Sequence, residues 1–580
     1  MTTIKSILNE QVGNALCRVS SIEQCKANVI TASRPEFGDY QANGIMKVAK
    51  RLKQSPRELA AAVVTFLEKK NISLVESYEI AGPGFINIRL NNSELISRAN
   101  VFLNNPELLV SKTSYPKTIV VDYSSPNLAK EMHVGHLRGT IIGDSLVRIL
   151  ERSGHNIIRQ NHVGDWGTQF GMLIAYLQEI QKSKENNLPR QLLDLEHFYR
   201  AAKSRFDSDK NFADESRRSV VKLQSGDTES NKLWAQFIEE SLSHCDAIYD
   251  KLNVTLKRED LDAESRYNNQ LSEVVRILEQ KNLITISDEA KVIFLPNFVG
   301  KDGNILPVII QKSDGGYLYS TTDLAAIKFR SAELKADRSL YVVDARQSLH
   351  FDQVFSVAKA AGIASKKISL EHIAYGTMMG NDGKPFKTRS GDIVKLTELL
   401  DEAIKRAYEL VTAKNPALDK ELRKVIAEKV GIASVKYADL SKNRTSDYIF
   451  EWSTMLSFEG NTAPYLMYAY ARIKSILKKP EAQNFTANIS SLNEIEERLL
   501  LVKILQLSEV IQIVAEDCYP NQLCNYLYEL AGLFMKFYEA CPILKSEERI
   551  RNSRLALVSL TAETLNQGLD LLGIETLEQM

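Results

Sequence analysis

The sequence predicts a multidomain α/β protein, with a doubly wound Rossmann-type domain between an N-terminal α+β domain and a C-terminal all-α helical bundle. Three observations predict it: a strand–loop–helix–strand pattern over 118–160, a helix and alternating apolar residues before it, and helical apolar spacing through nearly all of 456–580. At 580 residues the chain is too long for one core, and about two to four domains are expected.

The first domain is expected over 1–112. Within it “SPRELAAAVVTFLEKK” predicts a helix, with Ser55 as cap, Pro56 in the first turn and Glu58 completing a capping box. “YEIAGPGFINIRL” alternates like a hairpin punctuated by Gly82, Pro83 and Gly84, and “NNPELLVSKTSYPK” separates this domain from the next. The second domain is expected over 113–455. “TIVVDY”, “GHLRGTIIGDSLVRILERSG” and “NIIRQNHVGDWG” make a βαβ unit, interrupted afterwards by a helical insertion at about 180–290 with a loop at “KSKENNLPRQ”. “VIFLP”, “PVIIQKSDGGYLYS”, “SLYVVD” and “ISLEHIAYGTMMG” then return to the doubly wound sheet. The third domain, 456–580, carries “APYLMYAYARIKSILKK” and “NQLCNYLYELAGLFMKFYEAC” and is expected to be a bundle. No repeat or low-complexity tract interrupts the chain.

The 44% apolar and 25% charged content is that of a soluble globular protein. No apolar run approaches the roughly 20 residues that span a bilayer, and “MTTIKSILNEQ” lacks the layout of a secretory signal. The cysteines at 17, 25, 245, 518, 524 and 541 form no CxxC pair and no disulfide framework, so a reducing cytoplasm is expected and a structural metal is not. The net charge of zero argues against coating nucleic acid through bulk electrostatics. Residues 1–112 carry about four more bases than acids and 456–580 about five more acids than bases, so an RNA partner would need local patches.

The chemistry starts at “YSSPNLAKEMHVGHLRG”, 123–139. Ligands of a doubly wound sheet bind beyond the carboxyl ends of its strands, and this loop leads from one such end into a helix beginning near Gly135. A helix N-terminus receives phosphate, His133 and His136 can donate hydrogen bonds to phosphoryl oxygens, and Gly135 admits close backbone approach. Capping, packing and metal ligation are the alternatives for the histidines, although a metal would want a third ligand. Neither a Walker A loop nor GxGxxG is present. A second loop, “GNDGKPFKTRSGDIVKL” at 380–396, gathers Lys384, Lys387, Thr388, Arg389 and Ser390 among glycines, a mobile cationic loop suited to a polyphosphate or simply a solvated basic turn.

Together the two loops resemble those of the class I aminoacyl-tRNA synthetases: “HVGH” looks like the HIGH signature, and “FKTRSG” stands where KMSKS belongs. “SSPNLAKEMHVGHLRG”, “NHVGDWGTQFGML”, “YLYSTTDLAAIKFR”, “RQSLHFDQV”, “FEGNTAPYLMYAYARI”, “FYEACP” and “LLGIETLEQM” are similar to the arginyl-tRNA synthetases of bacteria, over nearly the whole chain. The resemblance implies activation of L-arginine by ATP to arginyl-adenylate and pyrophosphate, then transfer to the 2′-hydroxyl of the terminal adenosine of tRNA(Arg). It also implies Mg2+ arriving with ATP, no protein-bound structural metal, and a monomer working in the cytoplasm away from membranes. A synthetase for another amino acid and a catalytically silent RNA-binding relative are the rival readings.

By the same resemblance His133 and His136 contact the ATP phosphates, with Gly135 beneath the adenosine. The second loop departs from KMSKS: Pro385 takes the first lysine's place and Thr388 the catalytic lysine's. Family members lacking that lysine carry one just before HIGH, which implies Lys130 as the main pyrophosphate-side cation, with Lys387 and Arg389 helping. Asp122, Asn127, Tyr319, Asp323 and Gln347 are expected to line the arginine pocket, since carboxylates and amides fork onto a guanidinium. Asp122 matches a position filled by Glu in some relatives. Phe85 and Asn87 match the module that touches the tRNA D-loop, by stacking on a base and reading its edge. Tyr465, Tyr468, Arg472, Tyr538 and Met580 match positions around the anticodon.

Overall fold

The structure, a computed structural model, describes residues 2–182, 195–386 and 394–580. Lys387, Arg389 and all but the first residue of “KSKENNLPRQ” lie outside the described residues. The chain forms two compact units, one of 1–113, 457–571 and 575–580, the other of 114–456 and 572–574.

In the first unit an antiparallel sheet runs in the order Val29–Thr31, Tyr40–Ala42, Phe85–Leu90, Val75–Ala81. The expected hairpin is there, with Ala81 opposite Phe85 and Gly82 at φ +52° in its turn, a conformation that favours glycine. The helix Pro56–Lys70 also starts where expected, but the Ser55 side chain makes no capping hydrogen bond, and Pro56 carries the start by its fixed φ. The C-terminal segment is built of helices, Ala463–Leu477, Ile495–Leu505, Leu507–Asp517, Asn521–Ala540 and Glu548–Leu571, and contains no strand among the described residues.

Two buried polar contacts join the sheet to these helices. Arg498 grips both Asp39 oxygens, at 2.8 and 2.7 Å, and donates to Asn92 at 2.8 Å. Glu509 accepts from the Lys5 N–H and the Tyr40 hydroxyl, at 2.8 and 2.9 Å, and burial pushes its carboxyl up to about 7. Arg498 and Asp39 are almost wholly buried, so removing one partner strands the other charge. Arg498→Ala is expected to cost about 3–5 kcal/mol of unfolding free energy. Urea denaturation of this variant checks it, and a loss below about 1 kcal/mol would mean water reaches Asp39.

The second unit is built on a parallel sheet ordered Ser369–His372, Arg338–Tyr341, Thr118–Asp122, Asn156–Gln160. This is doubly wound: the sequence order reverses between Thr118–Asp122 and Arg338–Tyr341, which opens a crevice at their carboxyl ends. The helix Val134–Arg152 follows the first strand and buries most of its length. Helices Leu195–Ser208, Lys210–Gln224 and Thr228–Lys251 form an insertion.

One expectation is corrected. “VIFLP” and “PVIIQ” do not join the parallel sheet; they pair antiparallel, as Ala290–Val299 and Ile305–Gln311, in a separate three-stranded sheet with Thr285–Ser287. Five residues link the two long strands, enough for a hairpin and too few for the crossover that parallel pairing needs. Among the described residues no helix is long and apolar enough to cross a membrane.

Candidate active site

The crevice at the switch point holds a cavity of about 160 Å³ lined by His133, Gly135, Asp344, Arg346, the Gly376–Met378 segment, Pro385 and Phe386. Both signature loops meet there, although about 250 residues separate them in sequence. Val134 N–H donates to the Val394 carbonyl at 3.1 Å, Leu396 N–H to Met132 at 3.0 Å, and Lys395 pairs with Glu131 at 3.0 Å. At the other end of the second loop Phe386 N–H donates to Met378 at 3.0 Å. Both flanks of 387–393 are therefore tied to the cleft.

The two histidines cap the helix that they precede. His133 Nδ1 accepts the Gly135 N–H, and His136 Nδ1 accepts the His133 N–H, each at 3.0 Å, a capping box made by imidazoles. A Cβ at Gly135 would lie 2.7 Å from His133 Cε1, so glycine is needed for the cap itself. Because each Nδ1 accepts, each ring carries its proton on Nε2. Burial, then His133 and Lys130, push His136 down to about 3, so it is neutral and acts as a hydrogen-bond donor rather than a charge. Capping and phosphate binding are thus compatible: the cap fixes the tautomer that presents Nε2–H. Lys130 lies in the same loop with its Nζ 4.4 Å from the centre of the Tyr199 ring, and Lys384 sits in an exposed turn at 380–385.

A charged cluster lies beyond the ends of Thr118–Asp122 and Asn156–Gln160. Asp122 is buried, with one oxygen 2.8 Å from Arg330 Nη2 and the other 2.8 Å from Ser125 Oγ. It is committed to the interior in this structure rather than presented to a ligand. Arg330 is fully buried, also meeting Gln160 at 2.6 Å and Asp262 at 3.5 Å. Burial alone would lower His162, but its contact with Asp262 and the fields of Asp122 and Asp323 hold it up at about 9. These two cations match Asp122 and Asp262, and Asp165 is satisfied by Ser265 at 2.9 and 2.5 Å.

Asp323 and Glu264 remain. Tyr319 and Asp323 occupy the first turns of Tyr319–Ala332, Tyr319 being 64% exposed, and His350 Nε2 lies 2.6 Å from Asp323 Oδ2. Glu264 has no side-chain partner among the described residues. Burial, opposed by His162 and reinforced by Asp323 and Asp165, pushes it up to about 7, and its field reaches Tyr319. Glu264 thus lies within the field of Asp323, and Tyr319 within that of Glu264, with His350 beside Asp323 and the field of His162 opposing the rise at Glu264. Asn127 is half-buried, its Oδ1 accepting the Ala129 N–H at 3.0 Å, and Gln347 is exposed where Ser348–Ala361 begins.

In the first unit, Phe85 is half-buried at the hairpin. Asn87 is 4% exposed and its Oδ1 takes the Gln41 amide at 2.7 Å, so the edge-reading contact expected of it is not at the surface here. Tyr468, Arg472 and Tyr538 come together, the Arg472 guanidinium carbon lying 4.6 Å from the Tyr538 ring centre and 5.8 Å from that of Tyr468. Tyr465 meets Tyr528 edge-on at 5.6 Å, and Met580 is half-buried. Glu264, Arg330, His162, His350, Asp344, Arg346 and Tyr199 escaped the sequence reading. Of these, His162, Arg330, Arg346 and His350 lie inside quoted motifs and Asp344 ends the quoted strand “SLYVVD”, whereas Glu264 and Tyr199 carried no signal.

Residues 99–452 match the family described as tRNA synthetases class I (R), catalytic domain. The chain belongs to the arginyl-tRNA synthetase family. Residues 2–90 match the arginyl-tRNA synthetase N-terminal domain and 466–580 the DALR anticodon binding domain. The arginine–tRNA ligases of Marinomonas sp. (strain MWYL1) and Hahella chejuensis are 54% and 53% identical to this chain, each with 100% of both chains covered. Among solved structures, the arginyl-tRNA synthetases of Plasmodium falciparum (TM-score 0.85, 29% identity) and Thermus thermophilus (0.82, 25%) each align over 100% of both chains. The Rossmann-type catalytic fold is therefore that of an arginyl-tRNA synthetase, flanked in sequence by the family's N-terminal domain and its DALR anticodon binding domain.

Proposed function

We propose the following division of labour. As a member of its family the chain ligates arginine to tRNA(Arg) in two steps, with ATP as substrate; the first makes arginyl-adenylate, the second esterifies the 2′-hydroxyl of the terminal adenosine. ATP takes the switch-point cleft, its phosphates at the N-terminal end of Val134–Arg152. The arginine carboxylate attacks the α-phosphate in line and displaces pyrophosphate. The Nε2–H groups of His133 and His136 and the Lys130 ammonium stabilise the charge that grows there, with Lys387 and Arg389 closing from the second loop. Mg2+ enters as the ATP complex. Among the described residues no group of three or more His, Cys, Asp or Glu side chains could hold a metal ion.

Asp323 and Glu264 clamp the guanidinium, with Tyr319, Gln347 and Asn127 around it, while Asp122 holds Arg330 and so shapes the pocket from beneath. The carrying observation is that Glu264, without a side-chain partner among the described residues, and Asp323 lie within each other's field in the unit that holds the joined signature loops: two such carboxyls fit a planar cation. Phe85 serves the D-loop, and Tyr465, Tyr468, Arg472, Tyr538 and Met580 serve the anticodon, the Tyr–Arg–Tyr stack offering rings to bases. Asn87 acts through Gln41. The protein works as a monomer in the cytoplasm. Charging of total bacterial tRNA with radiolabelled amino acids tests the reading: arginine is incorporated and lysine is not, and charging with lysine would refute it.

A pH dependence follows. Glu264 holds a proton in the free site up to about pH 7, and a guanidinium beside it favours the carboxylate, so arginine binding releases a proton. Affinity is full above pH 7 and falls below it, by up to about tenfold per unit. The KM for arginine measured from pH 6 to 8 checks this, and Glu264→Gln flattens the profile. A wild-type KM constant over that range would remove Glu264 from the pocket.

A further inference from the structure

We propose that Tyr199, on the insertion helix Leu195–Ser208, is the positioning residue for the Lys130 ammonium, its ring a pedestal that holds the cation beside the signature histidines. The inference rests on the phosphate-side role given to Lys130 above.

A lysine ammonium on a flexible stem loses much rotamer freedom when it is fixed. A carboxylate partner would fix it but cancel its charge, whereas an aromatic face holds it and leaves the charge and N–H groups for phosphate. Lys130 is held in the second way: Nζ is 4.4 Å from the Tyr199 ring centre, and no carboxylate among the described residues pairs with it. Its field reaches His136, so the held ammonium stands on the histidine side of the loop. Tyr199 itself is 8% exposed and its hydroxyl has no hydrogen-bond partner among the described residues, which leaves the ring as the working part.

The insertion grips the same loop independently. Ser241 Oγ, on Thr228–Lys251, donates to the Leu128 carbonyl at 2.5 Å, two residues before Lys130. Tyr249, on the same helix, pairs with Ser124 Oγ at 2.7 Å and accepts from Asn161 at 3.1 Å. These bonds sit where Ser124 and Ser125 take φ +69° and +45°, a strained pair that needs outside support. Phe198 packs on Phe237 at 5.5 Å, joining the Tyr199 helix to the one that anchors the loop. The insertion therefore belongs to the catalytic apparatus through Lys130.

A double-mutant cycle on the full chain tests this, read by arginine-dependent ATP–pyrophosphate exchange with tRNA present and by thermal melting. Tyr199→Leu is expected to lower kcat/KM for ATP by roughly tenfold, with the KM for arginine unmoved, and Tyr199→Phe to retain most of the rate. In a Lys130→Met background, Tyr199→Leu is expected to have no further effect. Should the leucine variant melt below assay temperature, Tyr199→Met, similar in volume but without an aromatic face, replaces it. An equal additional loss in both backgrounds, or a loss shared by the arginine KM, would mark simple packing and overturn the inference. Phenylalanine failing as badly as leucine would also overturn it. Wild-type activity of Lys130→Met would remove the Lys130 role itself, whereas a slowed Lys130→Met in which Tyr199→Leu still costs its full loss of roughly tenfold would sink the pedestal alone.

Discussion

Lys130→Met is expected to lower arginine activation by roughly 10²–10³-fold while its circular dichroism spectrum stays native. The second signature loop has Pro385 and Thr388 where the KMSKS pattern has lysines, so the charge developing on the phosphates needs a cation from elsewhere. Lys130 stands three residues before His133, without a carboxylate partner among the described residues, in the loop that leads into the helix proposed to receive the phosphates. Methionine keeps the stem's volume and removes only the charge. Pyrophosphate exchange at saturating ATP and arginine reads the loss, and an unchanged rate would move the pyrophosphate-side role to Lys384, Lys387 or Arg389.

Asp323→Ala is expected to cost a similar amount by a different route, roughly 10²–10³-fold in kcat/KM for arginine, with the KM for ATP near its original value. Losing one member of a buried, hydrogen-bonded charge pair costs about 3–5 kcal/mol, and each 1.4 kcal/mol is tenfold. His350 holds this carboxylate at 2.6 Å, so the side chain is oriented before arginine arrives. Glu264 would then face the guanidinium alone. Steady-state kinetics with each substrate varied in turn separates this from unfolding. An equal rise in both KM values would show that Asp323 maintains the fold rather than the pocket.

Much of the fold was legible because its signals are local. The βαβ unit announces itself by an apolar run, a break and a long helical period, and the structure has the strand Thr118–Asp122, the helix Val134–Arg152 and the strand Asn156–Gln160 in those places. “VIFLP” and “PVIIQ” were misplaced because a short apolar run looks the same in a parallel sheet and in an antiparallel hairpin, and only long-range pairing separates the two. The sequence offers a histidine cap only as an alternative, since serine and threonine are the usual caps. At Ser55 the reverse held: the usual residue is present and makes no bond.

The site divides in the same way. The signature histidines and the Tyr319–Asp323 turn are contiguous and could be read. The charge balance of the pocket could not be read, because Arg330, His162, Asp262 and Glu264 come from separate segments and acquire their roles only when folding buries them together. Asp122 shows the cost of carrying a role by position alone: folding gives its carboxylate to Arg330.

The most direct test is ATP–pyrophosphate exchange across all twenty amino acids, run with and without total bacterial tRNA. Exchange with arginine and with no other amino acid is the predicted result, whether or not tRNA must be present. Exchange with a different amino acid, or none with any of the twenty in the presence of tRNA, would contradict it.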